Sequence, residues 1–350
     1  MAGILGGCEV IAVNSGTAAL YAAVVAANIS PGNLVITSPF TFVATANAVL
    51  AAGAVPIYVD VDSTGNMDPL MLSQVVADLQ SGGRRARTWF PPGLKQRQRV
   101  AAIMPVHIFG QPACLSEITE VARSLNAQVI EDGCEAFGAN YKGKPVGLFG
   151  DFGAFAMSAG KQITAGHGGF VVTENHDAAV KVRAIRNQGR EWVDHSLSQT
   201  GPGLNLQLSD VGAAIALPQA RRLPSLLRHR ESLASRYKRQ LASTPYLALP
   251  EIANTTTRMA WYTFTVRVLP PADRDALYSN LVERGVAAKL YFYPVHLQPF
   301  HRKRFGYGPG MFPAAELWGA QALALPLAPA MRLADVDAIC DLIKSYVSSC

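Results

Sequence analysis

Disulfide chemistry is the first thing this sequence is short of. Its five cysteines, Cys8, Cys114, Cys134, Cys340 and Cys350, are odd in number and show no C-x-x-C spacing. That favours free thiols in a reducing cytoplasm over a disulfide framework or a zinc site. Long hydrophobic runs are missing too. The longest, around Ala18 to Ala27, is cut off by Asn28 and Pro31, short of the roughly 20 apolar residues a membrane span needs. Met1 to Val10 carries neither the Lys/Arg start nor the apolar core of a secretory signal, so nothing here implies export. No unit recurs with a solenoid's period. What is present is ordinary for a globular chain: 350 residues, 49% hydrophobic, 16% charged, 8% aromatic, with 30 glycines spread throughout. A length of this order implies about two domains.

Charge is mildly one-sided. The formal net charge of +6 favours anionic ligands such as phosphates. Much of the excess is local: Arg84, Arg85, Arg87, Lys95, Arg97 and Arg99 flank Pro91-Pro92-Gly93, a pattern read as a solvated surface loop ahead of a nucleic-acid or membrane contact.

Short β-branched runs alternate with Ala-rich segments through the first two-thirds. Strands are expected at Val10 to Val13, Leu34 to Thr37, Pro56 to Val59, Val100 to Pro105, Gln128 to Glu131, Ala154 to Met157 and Gly169 to Val172. Helices are expected between them at Thr17 to Ala27, Thr41 to Ala52, Leu70 to Leu79 and Leu115 to Leu125. Apolar strands joined by helices imply an α/β fold, its sheet largely parallel and covered on both faces. Ligands then bind beyond the carboxyl ends of the strands. An Arg-rich amphipathic segment, Ser209 to Leu241, reads as a connecting helix or helix pair. After it come a strand (Met259 to Leu269), a helix (Ala276 to Arg284), a strand (Val286 to Phe292) and a last helix (Ala334 to Val347). The division expected is a large domain over 1–220 and a smaller α+β domain over 221–350.

Three segments stand out chemically. Asn14-Ser15-Gly16-Thr17 follows a strand and opens a helix, whose free first-turn N–H groups attract an anion; Ser15 or Thr17 would equally serve as an ordinary N-cap. Val129-Ile130-Glu131-Asp132-Gly133-Cys134-Glu135 ends an apolar strand in acids. Asp132 there points at a ligand, where it suits a protonated ring nitrogen, or else caps the next helix. Glu135 is open to either role or to solvent. Finally, Lys161 lies among small and apolar residues, with Gly160, Gly166, Gly168 and Gly169 beside it. Such surroundings favour the neutral amine, which condenses with aldehydes.

In this order the three segments resemble the DegT/DnrJ/EryC1/StrS aminotransferases, sugar aminotransferases of the type I fold of pyridoxal-phosphate enzymes. The resemblance extends over nearly the whole chain, through Ser38 to Thr45, Pro105 to Gln111, Arg186 to Arg190, Leu204-Asn205 ahead of Ser209-Asp210, and Tyr293 to Leu297. It implies a mostly parallel seven-stranded sheet, a smaller C-terminal domain and pyridoxal 5'-phosphate as cofactor. Lys161 would hold the cofactor as a Schiff base and, once freed, shuttle the proton; Asp132 would pair with the pyridinium nitrogen. Ser15, Gly16, Thr17 and Ser158 would hold the phosphate, Phe42 would stack on the ring, and Glu135 would stand beside the phenolic oxygen in place of the more usual Gln. Asn205 would reach the neighbouring subunit's phosphate, which implies a homodimer with shared sites, and His296 would face the substrate. The implied reaction moves an amino group from glutamate or glutamine to a keto group of a nucleotide-linked sugar, for amino-sugar or polysaccharide biosynthesis. His301-Arg302-Lys303-Arg304 is a further candidate for the sugar nucleotide's diphosphate. No metal is implied.

The sequence also departs from the family pattern. Ala156 stands where many members have a phosphate-binding Ser, His167 where Glu is usual, and Gln207 where Arg often follows the Asn. Several tens of residues normally precede the first phosphate motif, so an N-terminal segment is expected to be missing. Two other readings stay open: synthesis of aminocyclitols or aminohydroxybenzoate-type amines on the same scaffold, or a catalytically impaired homologue.

Overall fold

The computed structural model describes residues 1–90, 98–193 and 196–348. Seven strands form the central sheet: β1 (Glu9–Val13), β2 (Leu34–Thr37), β3 (Val55–Tyr58), β4 (Val100–Met104), β5 (Gln128–Asp132), β6 (Phe152–Ala156) and β7 (Gly169–Thr173). Their spatial order is β1-β7-β6-β5-β4-β2-β3. Pairings from β3 through β6 are parallel, whereas β7 runs antiparallel to both of its neighbours, β6 and β1. Two reversals restore the original direction. The carboxyl end of β1 therefore lies on the same sheet edge as those of β5 and β6.

Period-two alternation along the strands divides the core. Val35, Ala102, Met104, Phe152, Ala154 and Val171 face a cluster built on α1 (Gly16–Ala26), α2 (Ala44–Ala51) and α6 (His176–Ile185). On the opposite face, Leu34, Ile36, Ile57 and Ile103 pack on α3 (Pro69–Ser81) and α5 (Leu115–Ser124). Covering both faces explains why these strands read as continuous apolar runs. Alanine dominates α1, and its small side chains let the helix sit close to the sheet; it ends before Asn28, whose φ of 54° leaves the helical region.

The connecting segment is one helix, α7 (Asp210–Leu241), despite Pro218 and Pro224 within it. Its first half, through Ala216, Ala220, Leu223 and Leu227, packs on the large core beside Phe155 and Phe170. From Leu233 on, with Ala234, Tyr237 and Leu241, it belongs to a second core around Trp261 and Phe264. That second core lies under a three-stranded sheet, Leu247–Ala248 beside Phe264–Val268 beside Ala322–Leu325, packed by the helices Arg274–Glu283 and Leu333–Val347.

Two expectations for this region are corrected. Val286 to Phe292 is no strand; it joins the sheet only through a single bridge from Lys289 to Ala324. The third strand is instead Ala322–Leu325, which pairs antiparallel with Phe264–Val268 and is buried throughout. The basic stretch is likewise not simply a loop: Arg84, Arg85 and Arg87 lie exposed on a short helix, Gly83–Trp89. Lys95 and Arg97 lie outside the described residues. Cys8, Cys114, Cys134 and Cys340 are free thiols. Among the described residues no helix is long and apolar enough to cross a membrane.

Candidate active site

The carboxyl ends of β1, β5 and β6 converge on one point. Ser15 caps α1 by accepting the Ala18 N–H at 3.0 Å, which leaves the Gly16 and Thr17 N–H groups without an acceptor inside the helix. Gly16 is needed for closeness: a Cβ there would stand 2.7 Å from the Ala156 Cβ and 3.1 Å from the Cys134 Sγ. The turn after β1 is thus pressed against the end of β6 and the loop after β5. Asn14 holds this turn to the segment at Asn205, its main-chain N–H donating to the Leu206 carbonyl at 2.7 Å and its side chain to the Asn205 carbonyl at 3.3 Å. The Asn205 side chain itself is exposed.

Asp132 ends β5, buried, with both carboxylate oxygens engaged. Oδ2 accepts from the Thr45 hydroxyl at 2.7 Å and Oδ1 from the Cys134 N–H at 3.1 Å. Thr45 is in turn 2.9 Å from the Thr41 hydroxyl. Phe42, on the same loop, keeps 59% of its surface exposed. An aromatic ring left this open beside a buried carboxylate is available to a flat ligand.

Lys161 follows Gly160, whose φ of 88° turns the chain sharply. The Lys161 side chain is 12% exposed and the Glu135 side chain 8%, with Nζ 3.4 Å from Glu135 Oε1. The amine also stands 3.7 Å from the centroid of the Tyr262 ring. Glu135 is fixed at its other oxygen, which accepts the Phe109 N–H at 2.9 Å, and burial pushes its carboxyl above the ordinary range against the pull of Lys161. The circuit closes through the backbone, as the Tyr262 N–H donates to the Phe109 carbonyl at 2.9 Å.

Glu131, the third acid of this segment, is wholly buried and structural. Its oxygens take the N–H groups of Gly147, Phe149 and Gly150 and face His107 Nε2 at 3.0 Å. His107 Nδ1 accepts the Ala113 N–H at 3.0 Å, so Nε2 carries the proton.

This chain is similar to known proteins over most of its length. The DegT/DnrJ/EryC1/StrS aminotransferase family matches residues 1–344. The chain belongs to this family. It is therefore a pyridoxal-phosphate-dependent aminotransferase of the type I fold. Among its relatives, the spore coat polysaccharide biosynthesis protein SpsC of Bacillus subtilis is 32% identical over 99% of this chain and 87% of its own length. GDP-perosamine synthase of Caulobacter vibrioides is 34% identical, over 94% of this chain and 83% of its own. A DegT/DnrJ/EryC1/StrS aminotransferase from Brucella abortus superposes with a TM-score of 0.86 at 30% identity, covering 99% of this chain and 87% of that one. DesV of S. venezuelae gives 0.85 at 30% identity with the same coverage.

In this aminotransferase the sequence-derived residues do not all meet. Ser15, Gly16, Asp132, Glu135 and Lys161 gather at the strand ends, with the half-buried Ser158 in the lysine turn, where its carbonyl accepts the Lys161 N–H at 3.2 Å. Thr17 and Phe42 stand exposed at the rim. His296 follows Val295, whose N–H donates to the Pro39 carbonyl at 2.7 Å, but it has no exposed surface, its Nε2 is 3.1 Å from Glu316 Oε1, and its Nδ1 lacks a partner among the described residues. It therefore lines no open cleft. His301 likewise leaves the basic cluster, buried with Nδ1 3.1 Å from the Tyr58 hydroxyl, while Arg302, Lys303 and Arg304 stay exposed. Thr45 and Tyr262 also touch the site. Thr45 lies in the segment Ser38 to Thr45 but carried no assigned role, and Tyr262 stood in no motif, since each meets its partner across a long stretch of chain, 87 residues for Thr45 and Asp132.

Proposed function

We propose that this aminotransferase carries pyridoxal 5'-phosphate on Lys161 and transfers an amino group from glutamate or glutamine to a keto group of a nucleotide-linked sugar. The observation that carries the reading is the Lys161 amine, nearly buried between Glu135 and the Tyr262 ring at the carboxyl edge of the sheet. Two relatives named for a spore coat polysaccharide and for GDP-perosamine synthesis support the sugar class.

The residues present suit the cofactor's donor and acceptor needs. Asp132 offers a buried carboxylate to a ring nitrogen, Phe42 an open face to a ring, and the Gly16 and Thr17 N–H groups, with the Ser15 and Ser158 hydroxyls nearby, an anion site. Ala156 brings no hydroxyl to that site, so the main chain must do more of the holding. When bound, pyridoxal phosphate supplies an electron-accepting ring that spreads the negative charge left when a carbon loses its proton. Lys161, once freed from the cofactor, would supply the amine that takes and returns that proton at Nζ. Glu135, its carboxyl pushed upward by burial, stands with Oε1 3.4 Å from the same amine, where it can hold and orient it. Amino donor and sugar would use the site in turn, giving ping-pong kinetics.

Asn205 is proposed to serve the phosphate site of a second copy. Exposed apolar side chains nearby, Leu204, Val211, Ile215 and Leu217, support a homodimer through this face. The unpaired cysteines support a cytoplasmic location. The decisive experiment compares the visible absorbance of the protein with added pyridoxal phosphate against Lys161→Ala. The wild type should develop a band that the variant lacks; no band, or the same band in both, overturns the assignment. A screen of nucleotide-linked keto sugars, with glutamate and glutamine as donors, then tests the substrate class.

A further inference from the structure

Among the described residues, Arg230 is a buried cation with no carboxylate paired to it. It is 1% exposed, and burial dominates the balance that brings its pKa down to about 10. It stays charged at neutral pH. Burying an unpaired charge is costly, and its neighbours along α7, Leu223, Leu227, Leu233 and Ala234, are apolar. Core packing alone would be better served by another leucine.

What the guanidinium does instead is bind four main-chain carbonyls. Nη1 donates to Trp261 and Tyr262 at 2.9 and 3.0 Å; Nη2 donates to Gly160 and Lys161 at 3.0 and 3.1 Å. The planar fork suits this task, since its donors point in fixed directions that an ammonium cannot match. These carbonyls belong to two segments that meet at the Lys161 amine. One bears the amine, the other the ring 3.7 Å away. Before Lys161 the turn is open: Ala159 and Gly160 are exposed, and a Cβ on Gly160 would touch nothing. After it the chain is held by Gln162, whose amide donates to the Glu135 carbonyl at 2.6 Å, and by Thr164, whose N–H and carbonyl both bond the Gln219 amide, at 3.0 and 3.1 Å. The Tyr262 segment is secured from the same helix, because Glu231 accepts the Trp261 indole N–H at 2.5 Å.

We propose that Arg230 is a positioning residue: by holding the backbones of Lys161 and Tyr262 on one guanidinium, it sets the amine against the ring and Glu135 in the orientation that captures the cofactor. This rests on Lys161 being the cofactor lysine.

The test measures labelling at Lys161. Cofactor-free protein is mixed with pyridoxal phosphate at a series of pH values and reduced with borohydride, and labelled Lys161 is measured by peptide mass per folded molecule, the folded fraction being taken from circular dichroism. Wild type, Arg230→Met, Arg230→Lys and Tyr262→Leu are compared. Arg230→Met should label Lys161 about ten-fold more slowly, as expected for a misplaced reactive group, with a displaced pH profile. Arg230→Lys should recover part of the loss. Tyr262→Leu, which keeps the buried cation but removes the ring, should displace the pH profile in the same sense. A merely structural arginine would lower the melting temperature yet leave folded molecules labelling at the wild-type rate, and that result overturns the proposal. Should Arg230→Met not fold, wild-type rates and profiles in both Arg230→Lys and Tyr262→Leu overturn it equally. Absence of label at Lys161 in the wild type would bring down the cofactor reading, and this proposal with it.

Discussion

Both oxygens of Asp132 are occupied within the chain, and the donors differ in kind. The Cys134 N–H comes from the turn itself, two residues away, and forms whenever that turn does. The Thr45 hydroxyl comes from the far end of a loop between β2 and α2, so it is the contact a side-chain change can remove. Thr45→Val keeps the shape and deletes the donor, leaving a buried carboxylate short of a partner. A charged hydrogen bond of this kind is worth about 1.5–3 kcal/mol. The expected loss in urea unfolding is of that size, with weaker pyridoxal phosphate binding, and Thr45→Ser should restore both. An unchanged unfolding midpoint would show that Asp132 needs no second donor. The sequence singled out Asp132 as an acid closing an apolar strand, with a ligand or a helix cap as its two uses. Thr45 was not singled out, because a threonine at a helix start has many.

At the scale of elements, a carboxylate placed at a helix start ties the central sheet to the C-terminal part of the chain. Asp60, buried just after β3, accepts the Ala315 N–H at 2.8 Å on Oδ1 and the Ala314 N–H at 2.9 Å on Oδ2, at the opening of the helix Pro313–Gln321. A negative charge there also meets the positive end of the helix dipole. Asp60→Asn removes the charge and turns an NH2 toward one of those donors. It should cost about 2–3 kcal/mol, read as a lower midpoint in denaturant unfolding with the slope preserved; a cost near zero would mean that the helix is held by its packing alone. The mistaken strand at Val286 to Phe292 belongs to this scale as well. Its composition is strand-like, yet Phe292 is spent stacking on Phe109 at 6.0 Å and packing beside Phe40. The sheet edge it would have filled goes to Ala322–Leu325.

For the whole molecule, acid sensitivity follows from burial of a base between the two parts of the chain. His301 is enclosed beside Tyr58 and Phe305, and burial lowers its pKa from 6.5 to about 4. The unfolded chain therefore binds this proton at a higher pH than the folded one does. Its contribution to stability is complete above about pH 6.5 and is lost as the pH falls toward 4. Up to about 3 kcal/mol is at stake across that window. His296, lowered by burial in the same direction, adds to it. Urea unfolding at stepped pH should show stability falling through this range, and His301→Gln should flatten the fall. A slope unaffected by the substitution would assign the acid response to other groups.

Apart from the helix α6, which no expectation named, the strands of the central sheet, its cover on both faces and the motifs proposed to hold the cofactor were legible before folding. Each of these is written in neighbouring residues: period and composition for strands and helices, a small-residue turn before α1, an acid at the end of β5, a lysine among glycines. What those motifs touch is settled by packing in three dimensions. Packing put Tyr262 beside the amine, Thr45 on the carboxylate and Arg230 on the backbone of both segments, and it buried His296 and His301. Such contacts join residues far apart in the chain, and side-chain burial depends on every element packed around it. Local pattern therefore carries the reactive groups, while their surroundings exist only once the chain has folded.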